Sequence, residues 1–289
     1  MDQADRLRTL ASTGGIASQT RIISVTSGKG GVGKTNISIN LCLQMARKGL
    51  RTLLVDADFG LANANIVLGC QVGKTLDDVL FQGAKIEETF VKTAFGFDLL
   101  PTSSGLRKML SLDAFTQRAM FDQIFSQFDK YDIVIFDTAP GLGDHVLSFN
   151  SVADDIIVVA HPEPTALADA YALIKILATE RREKKFRLLI NRALNATEGL
   201  DSFKKLTNVV DEFLTVSVDF LGAIPEDPQV ARSVRNRVPV SFDAPRSIFS
   251  LSLERIGDKL LAGVSGPRVA RPWDNESLLV SGRGGVQNV

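Results

Sequence analysis

A glycine-rich stretch at residues 27–36, S-G-K-G-G-V-G-K-T-N, constrains the fold of this chain more than any other segment. A β-branched run at residues 21–26 precedes it, and an amphipathic helical pattern at residues 37–48 follows it. The spacing G-x-x-x-x-G-K-T predicts a loop whose backbone N–H groups surround phosphates at the positive end of the helix dipole. Lys34 is expected on the β- and γ-phosphates, and the Thr35 hydroxyl on Mg²⁺. The predicted nucleotide-binding residues of the loop are Gly28, Lys29, Gly30, Gly31, Val32, Gly33, Lys34, Thr35 and Asn36.

Two later segments place aspartates at the expected ends of β-strands. Residues 51–55 predict a buried parallel strand that leads into Asp56 and Asp58, and residues 131–136 predict another that leads into Asp137. Because open α/β sheets hold their ligands at the carboxyl ends of the strands, these carboxylates are expected beside the phosphate loop. A hydrophobic strand that ends in aspartate has the Walker B pattern, in which the carboxylate holds Mg²⁺ through a water molecule.

The alternation of predicted strands with helical crossovers indicates an α/β fold, a mostly parallel, doubly wound sheet flanked by helices. Further strands are predicted at residues 97–100, 156–160, 186–190 and 218–224, and helices at residues 112–129, from about residue 165, and at residues 244–261. The predicted organisation is a mobile N-terminal arm at residues 1–20, an ATPase domain at residues 21–262 and a disordered tail at residues 263–289.

Composition argues against several classes of function. The chain has 33 basic and 33 acidic residues, so a strong non-specific attraction to nucleic acid is not expected, although a local basic patch stays open. The two cysteines, Cys42 and Cys70, lack a metal-binding spacing, which suits inert thiols in a reducing cytoplasm. His145 and His161 have no evident catalytic partner and are interpreted as structural. We expect a cytoplasmic protein that contacts the inner face of the cytoplasmic membrane at most peripherally.

The early lysine of K-G-G-V-G-K-T, Lys29, gives the loop a resemblance to the deviant Walker A motif of the MinD/ParA family of P-loop ATPases. This resemblance implies a SIMIBI-type P-loop NTPase fold, ATP and Mg²⁺ as cofactors, slow regulatory hydrolysis, and an ATP-dependent homodimer in which Lys29 reaches the partner's nucleotide. It also implies that Asp58 begins switch I and positions the attacking water, while Asp56 lies nearer the metal. The implied catalytic residues are Lys29, Lys34 and Asp58, and the implied metal ligands are Thr35, Asp56 and Asp137.

Two further strand ends resemble the adenine-binding segments of MinD-like proteins. An N-R pair follows the strand predicted at residues 186–190, and G-x-I-P-E-D ends the strand predicted at residues 218–224. The resemblance implies that both segments contact the base of the nucleotide. The implied base contacts are Asn191, Arg192, Pro225, Glu226 and Asp227.

Residues 2–8, D-Q-A-D-R-L-R, fit the pattern D-Q-A-x-x-L-R and resemble the N-terminal arm of the FlhG/FleN family of flagellar-number regulators. The stretch E-P-T-x-x-x-x-D-A-Y-A-L-I-K from Glu163 resembles the same family. This resemblance implies a switch between an ATP-bound dimer and an ADP-bound monomer that controls flagellar number and placement. The arm is implied to activate the GTPase FlhF, with Gln3 at the GTP site, and a flagellar transcription activator is an implied second partner. The implied partner-binding residues are Asp2, Gln3, Ala4, Leu7 and Arg8.

Two other functions stay open from the sequence: a MinD-type regulator of the division site and a ParA-like DNA-partitioning ATPase. The neutral net charge leans against DNA partitioning. Residues 268–289 include Pro272 and a glycine-rich end, so they are not expected to form the amphipathic membrane helix that usually ends MinD and FlhG proteins. Either the helical pattern at residues 248–261 takes that role, or membrane contact is weak or indirect.

Overall fold

The computed structural model describes residues 20–58, 63–101 and 114–262, so the expected tail, and the expected arm apart from Thr20, lie outside the described residues. The described strands are β1 Arg21–Thr26, β2 Thr52–Ala57, β3 Val91–Lys92, β4 Asp98–Pro101, β5 Ile133–Thr138, β6 Asp155–Ala160, β7 Lys185–Ala193 and β8 Ser217–Pro225. They form an eight-stranded sheet in the order β3-β4-β2-β5-β1-β6-β7-β8. All neighbours are parallel except β3 and β4. The predicted α/β class, with a mostly parallel sheet, is confirmed.

Helices cover both faces of this sheet. They are α1 Lys34–Arg47, α2 Ala64–Val67, α3 Leu76–Gln82, α4 Ala114–Ser126, α5 Asp144–Ser151, α6 Pro164–Glu180, α7 Ala196–Phe213, α8 Pro228–Asn236, α9 Val240–Asp243 and α10 Ile248–Ala262, with 3₁₀ turns at Ile86–Thr89 and Phe128–Lys130. On one face, α1 and α10 pack over strand residues such as Ile23 and Leu54. On the other face, α4 packs over Val134, and α6 and α7 over Leu188. Because both faces are covered, the central strands are apolar on both sides.

The first helix is central to the domain because it lies between the sheet and α10. Ten of its 14 residues are buried, from Lys34 to Met45. Even the polar side chain of Asn40 is enclosed, and it is satisfied there: its Oδ1 accepts the backbone N–H of Ser241 at 2.7 Å, and its Nδ2 donates to the carbonyl of Asn36. This burial holds the N-terminus of α1 against the carboxyl ends of the central strands.

The predicted elements are present with modest changes at their ends, and two changes have clear physical causes. The last helix begins at Ile248 rather than at residue 244. Pro245 disfavours a helical conformation at Ala244, and the Ser247 hydroxyl accepts the N–H of Ser250 at the new helix start. The strand predicted at residues 97–100 has an antiparallel neighbour, β3, whose two residues are too few to show a strand period.

Thr20 is the first residue of the packed domain in the part of the chain that the structure describes. Thr20 is buried, and its hydroxyl lies 2.7 Å from the carbonyl oxygen of Tyr131 and 2.9 Å from that of Phe128. The packed domain therefore includes the last residue of the expected arm. Among residues 20–58, 63–101 and 114–262, no helix is both long enough and apolar enough to span a membrane.

Candidate active site

The order of the strands brings the predicted motifs to one edge of the sheet. β1, which leads into the glycine-rich loop, lies between β5 and β6, and β5 lies next to β2. Asp56 at the end of β2 and Asp137 at the end of β5 are direct cross-strand partners, and Val25 of β1 pairs with Asp137 from the other side. The phosphate loop and the predicted acidic residues are thus neighbours, as the position of each at a strand end predicts.

Close approach of the surrounding strands and helices explains two glycines of the loop. A Cβ on Gly33 would lie 2.5 Å from Nδ2 of Asn191, and a Cβ on Gly28 would lie 2.1 Å from the carbonyl oxygen of Asp169. Gly33 also has a φ of 95°, in the left-handed region. It precedes the first residue of α1, and no side chain caps that helix end. The first N–H groups of α1 therefore face the loop without a side-chain acceptor, an arrangement suited to an anion.

Lys34 is enclosed in the loop, with only 7% of its surface exposed. Its Nζ donates a hydrogen bond to Oγ of Ser27 at 2.8 Å. Burial lowers the pKa of this amine, and the charges of Asp137 and Asp58 oppose that effect. A buried ammonium group with acidic neighbours and one hydroxyl partner is placed to meet phosphate oxygens.

Asp56 and Asp137 form a pair of buried carboxylates at the ends of adjacent strands, 1% and 2% exposed. Burial, followed by the charge of Asp137, raises the pKa of Asp56 to about 7. Burial raises the pKa of Asp137 to about 6, while hydrogen bonding from Thr35, the charge of Lys34 and the Ser38 hydroxyl lower it. Two buried carboxylates and the nearby Thr35 hydroxyl provide oxygen ligands of the kind that Mg²⁺ prefers. The predicted metal ligands therefore fit that ion.

The carboxylate of Asp56 also holds both ends of the loop that carries Asp58. Its Oδ1 accepts the backbone N–H of Asp58 at 3.3 Å, and its Oδ2 accepts the N–H of Ala64 at 3.0 Å, where α2 begins. Asp58 is half-buried and close enough to Lys34 to act on its pKa. Asp56 is therefore placed to position Asp58 as well as to neighbour a metal.

Lys29 lies at the surface of the same edge and does not point into the enclosed part of its own site. Its Nζ is 3.1 Å from Oε2 of Glu163 and 3.3 Å from Oγ1 of Thr165, at the start of α6. The side chains of Lys29 and Glu163 are 40% and 61% exposed. The hydrogen bond from Lys29, with its charge, lowers the pKa of Glu163. Glu163 and Thr165, which belong to the stretch that resembles the FlhG/FleN family, thus contact the early lysine.

The five predicted base contacts come together at the ends of β7 and β8, where Asn191 pairs with Ile224 and Ala193 with Pro225. Asn191 is buried, and its Nδ2 donates to the carbonyl of Val32 in the phosphate loop at 2.8 Å. Asp227 is also buried, Pro225 is half-buried, and Arg192 and Glu226 are exposed. The implied base contacts, in or directly after these two strands, are Asn191, Arg192, Pro225, Glu226 and Asp227.

The carboxylate of Asp227 is engaged by the backbone. Its Oδ1 accepts the N–H of Gln229 at the start of α8, and its Oδ2 accepts the N–H of Phe249 at the start of α10. This side chain therefore holds two helices to the end of β8. Its contribution to base binding would run through that positioning or through its backbone.

Sequence reasoning missed three polar side chains that contact the loop or the carboxylates: Ser27, Ser38 and His161. Ser27 bonds Lys34 and Lys29, and Ser38 bonds Asp137. His161 follows β6, and its Nε2 lies 3.3 Å from the carbonyl oxygen of Val32. The rule that strand ends carry ligand-site residues, applied to Asp137, would also have singled out His161. The arm residues Asp2, Gln3, Ala4, Leu7 and Arg8 lie outside the part of the chain that the structure describes.

Known proteins are similar to this chain in sequence and in fold. Residues 20–190 match the family described as AAA domain. The chain is 40% identical over 241 residues to the antiactivator FleN of Pseudomonas aeruginosa, which covers 83% of this chain and 86% of that protein. The chain belongs to the FlhG/FleN family of MinD-like ATPases.

Two further relatives agree with this family assignment. The flagellum site-determining protein YlxH of Helicobacter pylori is 32% identical over 247 residues, 84% of this chain and 82% of that protein. The septum site-determining protein MinD of Pyrococcus horikoshii, solved in complex with Mg-ADP, matches with a TM-score of 0.68 and 28% identity, over 84% of this chain and 98% of that one. Membership of the FlhG/FleN family confirms the prediction that this chain is a P-loop ATPase that hydrolyses ATP, and its fold is the one that the motifs predict.

Proposed function

We propose that this ATPase is a flagellar regulatory switch that is a dimer with ATP and a monomer with ADP. The observation that carries the proposal is the position of Lys29, on the surface beside the loop, where its ammonium group contacts Glu163 and Thr165. A lysine so placed is free to leave those exposed partners for the nucleotide of a second subunit. The two flagellar relatives, an antiactivator and a site-determining protein, support the flagellar assignment.

The chemistry of the site supports ATP with Mg²⁺ as the bound species. Thr35, Asp56 and Asp137 would hold the ion, which supplies positive charge to the phosphates and relieves the repulsion between the two carboxylates. Lys34 binds the β- and γ-phosphates, and Asn191 orients the loop beside the base. Asp58, held by the carboxylate of Asp56, positions the attacking water, and the Lys29 of the opposite subunit stabilises charge on the transferred phosphoryl group.

Two partners complete the proposal. The arm binds the GTPase FlhF and activates it. The same ATPase restrains a flagellar transcription activator. It acts in the cytoplasm, with at most peripheral membrane contact. Gln3 is uncharged and both donates and accepts hydrogen bonds, which suits the orientation of a water or phosphate oxygen in a GTPase site.

Light scattering after gel filtration tests the switch. With ATP and Mg²⁺, Asp58→Ala should run as a dimer, because loss of the water-positioning carboxylate leaves binding intact and blocks hydrolysis. The same variant with ADP should run as a monomer. A monomer in both states, with ATP binding verified by calorimetry, would contradict the switch.

A peptide of residues 1–20 tests the arm. It should stimulate GTP hydrolysis by FlhF without the ATPase core, and a Gln3→Ala peptide should bind but stimulate less. A Leu7→Asp peptide should lose both binding and stimulation, since an apolar anchor is lost. If only the full-length protein raises the FlhF rate, the arm is not the activator.

A division-site regulator of the MinD type is the second candidate, because MinD of Synechocystis is 31% identical over 83% of this chain. Deletion of residues 1–19, which keeps the buried Thr20, separates the two functions in cells. The flagellar function predicts an altered flagellar number with normal division, whereas the division function predicts unchanged flagella.

A further inference from the structure

The carbonyl oxygen of Val32, in the middle of the phosphate loop, has two side-chain partners from two different strand ends. Nδ2 of Asn191, in β7, lies 2.8 Å away, and Nε2 of His161, directly after β6, lies 3.3 Å away. Val32 and Asn191 are almost fully buried, and His161 is half-buried. One backbone carbonyl is thus contacted by two side chains that lie more than 100 residues away along the chain.

The geometry of the peptide bond gives this contact a consequence for the phosphate site. In a planar trans peptide, the carbonyl of one residue and the N–H of the next point in opposite directions. A Val32 carbonyl held toward β6 and β7 therefore directs the N–H of Gly33 to the opposite side of the loop. Gly33 is left-handed, at a φ of 95°, and its lack of a side chain lowers the barrier to rotation of this peptide.

We propose that His161 is a positioning residue for nucleotide binding, which fixes the Val32–Gly33 peptide so that the Gly33 N–H faces the phosphates. The contact at 3.3 Å is longer than that of Asn191, so His161 assists and Asn191 dominates. The proposal rests on nucleotide binding by the glycine-rich loop, and it adds a residue that the motifs did not include.

The carbonyl also determines the form of the imidazole. A carbonyl oxygen only accepts, so Nε2 must carry hydrogen, in the neutral Nε2–H tautomer or in the charged form. Burial lowers the pKa of His161, helped by the positive charges of Arg192 and Lys29 and opposed by Glu163 and by the bond to Val32. Both forms donate from Nε2, so the contact survives from pH 6 to pH 8.

Calorimetric titration of the full chain with Mg·ADP tests the proposal. His161→Ala should weaken ADP binding by about twofold to tenfold, the effect of one lost hydrogen bond. His161→Gln, which keeps a donor on a side chain of similar reach, should recover most of that loss. Lys175→Ala, on the exposed side of α6, is the matched control and should bind ADP as the wild type does.

Three results would overturn the proposal. The first is wild-type ADP affinity in His161→Ala. The second is a loss of affinity in His161→Ala that affects Mg·ADP but not Mg·IDP, titrated in parallel. Loss of a base contact would weaken the binding of one nucleotide selectively, whereas loss of a loop contact would weaken the binding of both equally. The third, which needs no variant, is a ¹⁵N spectrum of the wild-type imidazole that shows the Nδ1–H tautomer. Failure of the wild type itself to bind Mg·ADP would instead contradict the proposed function.

Discussion

The site has a phosphate half, formed by the glycine-rich loop, and a carboxylate half, formed by the aspartates at the strand ends. The two halves differ in how the protein stabilises their polar and charged groups. In the phosphate half, Ser27 bonds both Lys34 and the carbonyl of Lys29, and Asn191 bonds the carbonyl of Val32. In the carboxylate half, Asp56 and Asp137 lie directly opposite each other on adjacent strands, buried and of like charge. Protein groups hydrogen-bond both halves, but in the second half burial and the like charges of neighbouring aspartates raise the pKa of both carboxylates.

This difference assigns separate tasks to the two halves. A loop whose donors are already held loses little freedom when phosphate binds, so more of the interaction appears as affinity. A pair of opposed carboxylates destabilises the protein until a cation lies between them. We therefore expect the phosphate half to set nucleotide affinity and the carboxylate half to link nucleotide, cation and stability.

The largest effect is expected from Lys34→Ala. This substitution removes the one buried positive charge that serves both halves, and ADP and ATP affinity should fall by about 100-fold or more. Calorimetric titration with Mg·ADP measures it. If affinity falls by less than tenfold, the loop backbone alone binds phosphate and the comparison of the halves needs revision.

Lys29→Ala should have a large effect on turnover and a small one on binding. Its ammonium group is exposed and contacts Glu163 and Thr165 rather than the enclosed site, so ATP affinity should stay within about twofold. Hydrolysis should fall by about 100-fold or more and the ATP-dependent dimer should be lost, since in the proposed dimer Lys29 supplies its charge to the nucleotide of the opposite subunit. Glu163→Gln is the control, because it keeps Lys29 and should keep the dimer. An intact dimer in Lys29→Ala would exclude a role across subunits.

The carboxylate half predicts a pH dependence of stability. The folded pKa values of Asp56 and Asp137, about 7 and about 6, lie above the ordinary value of 3.8, so the folded state binds more protons than the unfolded state between these limits. The free energy of unfolding without ligand should therefore fall as pH rises from about 4 through about 7, by on the order of 2 kcal/mol. Urea unfolding at pH 5 and pH 8 measures this difference.

Two variants identify the source of that slope. Asp137→Asn should flatten the profile, because it removes one of the two opposed charges. Glu183, half-buried ahead of β7 and away from the site, also has its pKa raised to about 7 by burial and contributes with the same sign. Glu183→Gln is therefore the matched control. A profile that Glu183→Gln flattens as much as Asp137→Asn does would show that the carboxylate pair is not the main source.

The sequence predicted much of the site because its motifs are contiguous. The spacing G-x-x-x-x-G-K-T identifies the loop, and an apolar run that ends in aspartate places Asp137 at a strand end. The opposition of Asp56 and Asp137 was not predictable, since it depends on β2 lying next to β5 rather than next to β1. Strand order is a tertiary property that periodicity does not contain.

Contacts between side chains that are distant in the sequence were also not predictable. His161 was interpreted as structural because no catalytic partner is evident in the sequence, and the sequence does not show that β6 ends beside Val32. Asp227 carries the motif for a base contact, yet its carboxylate caps α8 and holds α10. A motif gives the position of such a residue, but not which neighbour its side chain bonds.

The smallest effect, from Ser27→Ala, tests the phosphate half directly. Before ligand binds, Oγ of Ser27 accepts from Lys34 at 2.8 Å and donates to the carbonyl of Lys29 at 2.7 Å. If the first bond mainly competes with phosphate for Lys34, its loss should tighten Mg·ADP binding. If the two bonds mainly hold the loop in its binding conformation, their loss should weaken binding. We expect weaker binding, by about twofold to fivefold, because Lys34 is buried and its amine needs a partner in the free protein, while the bond to the Lys29 carbonyl does not compete with phosphate for that amine. Calorimetry of Ser27→Ala beside Ser27→Thr, which keeps the hydroxyl, distinguishes competition for Lys34 from preorganisation of the loop. Tighter binding by the alanine variant would show that the phosphate half is not preorganised.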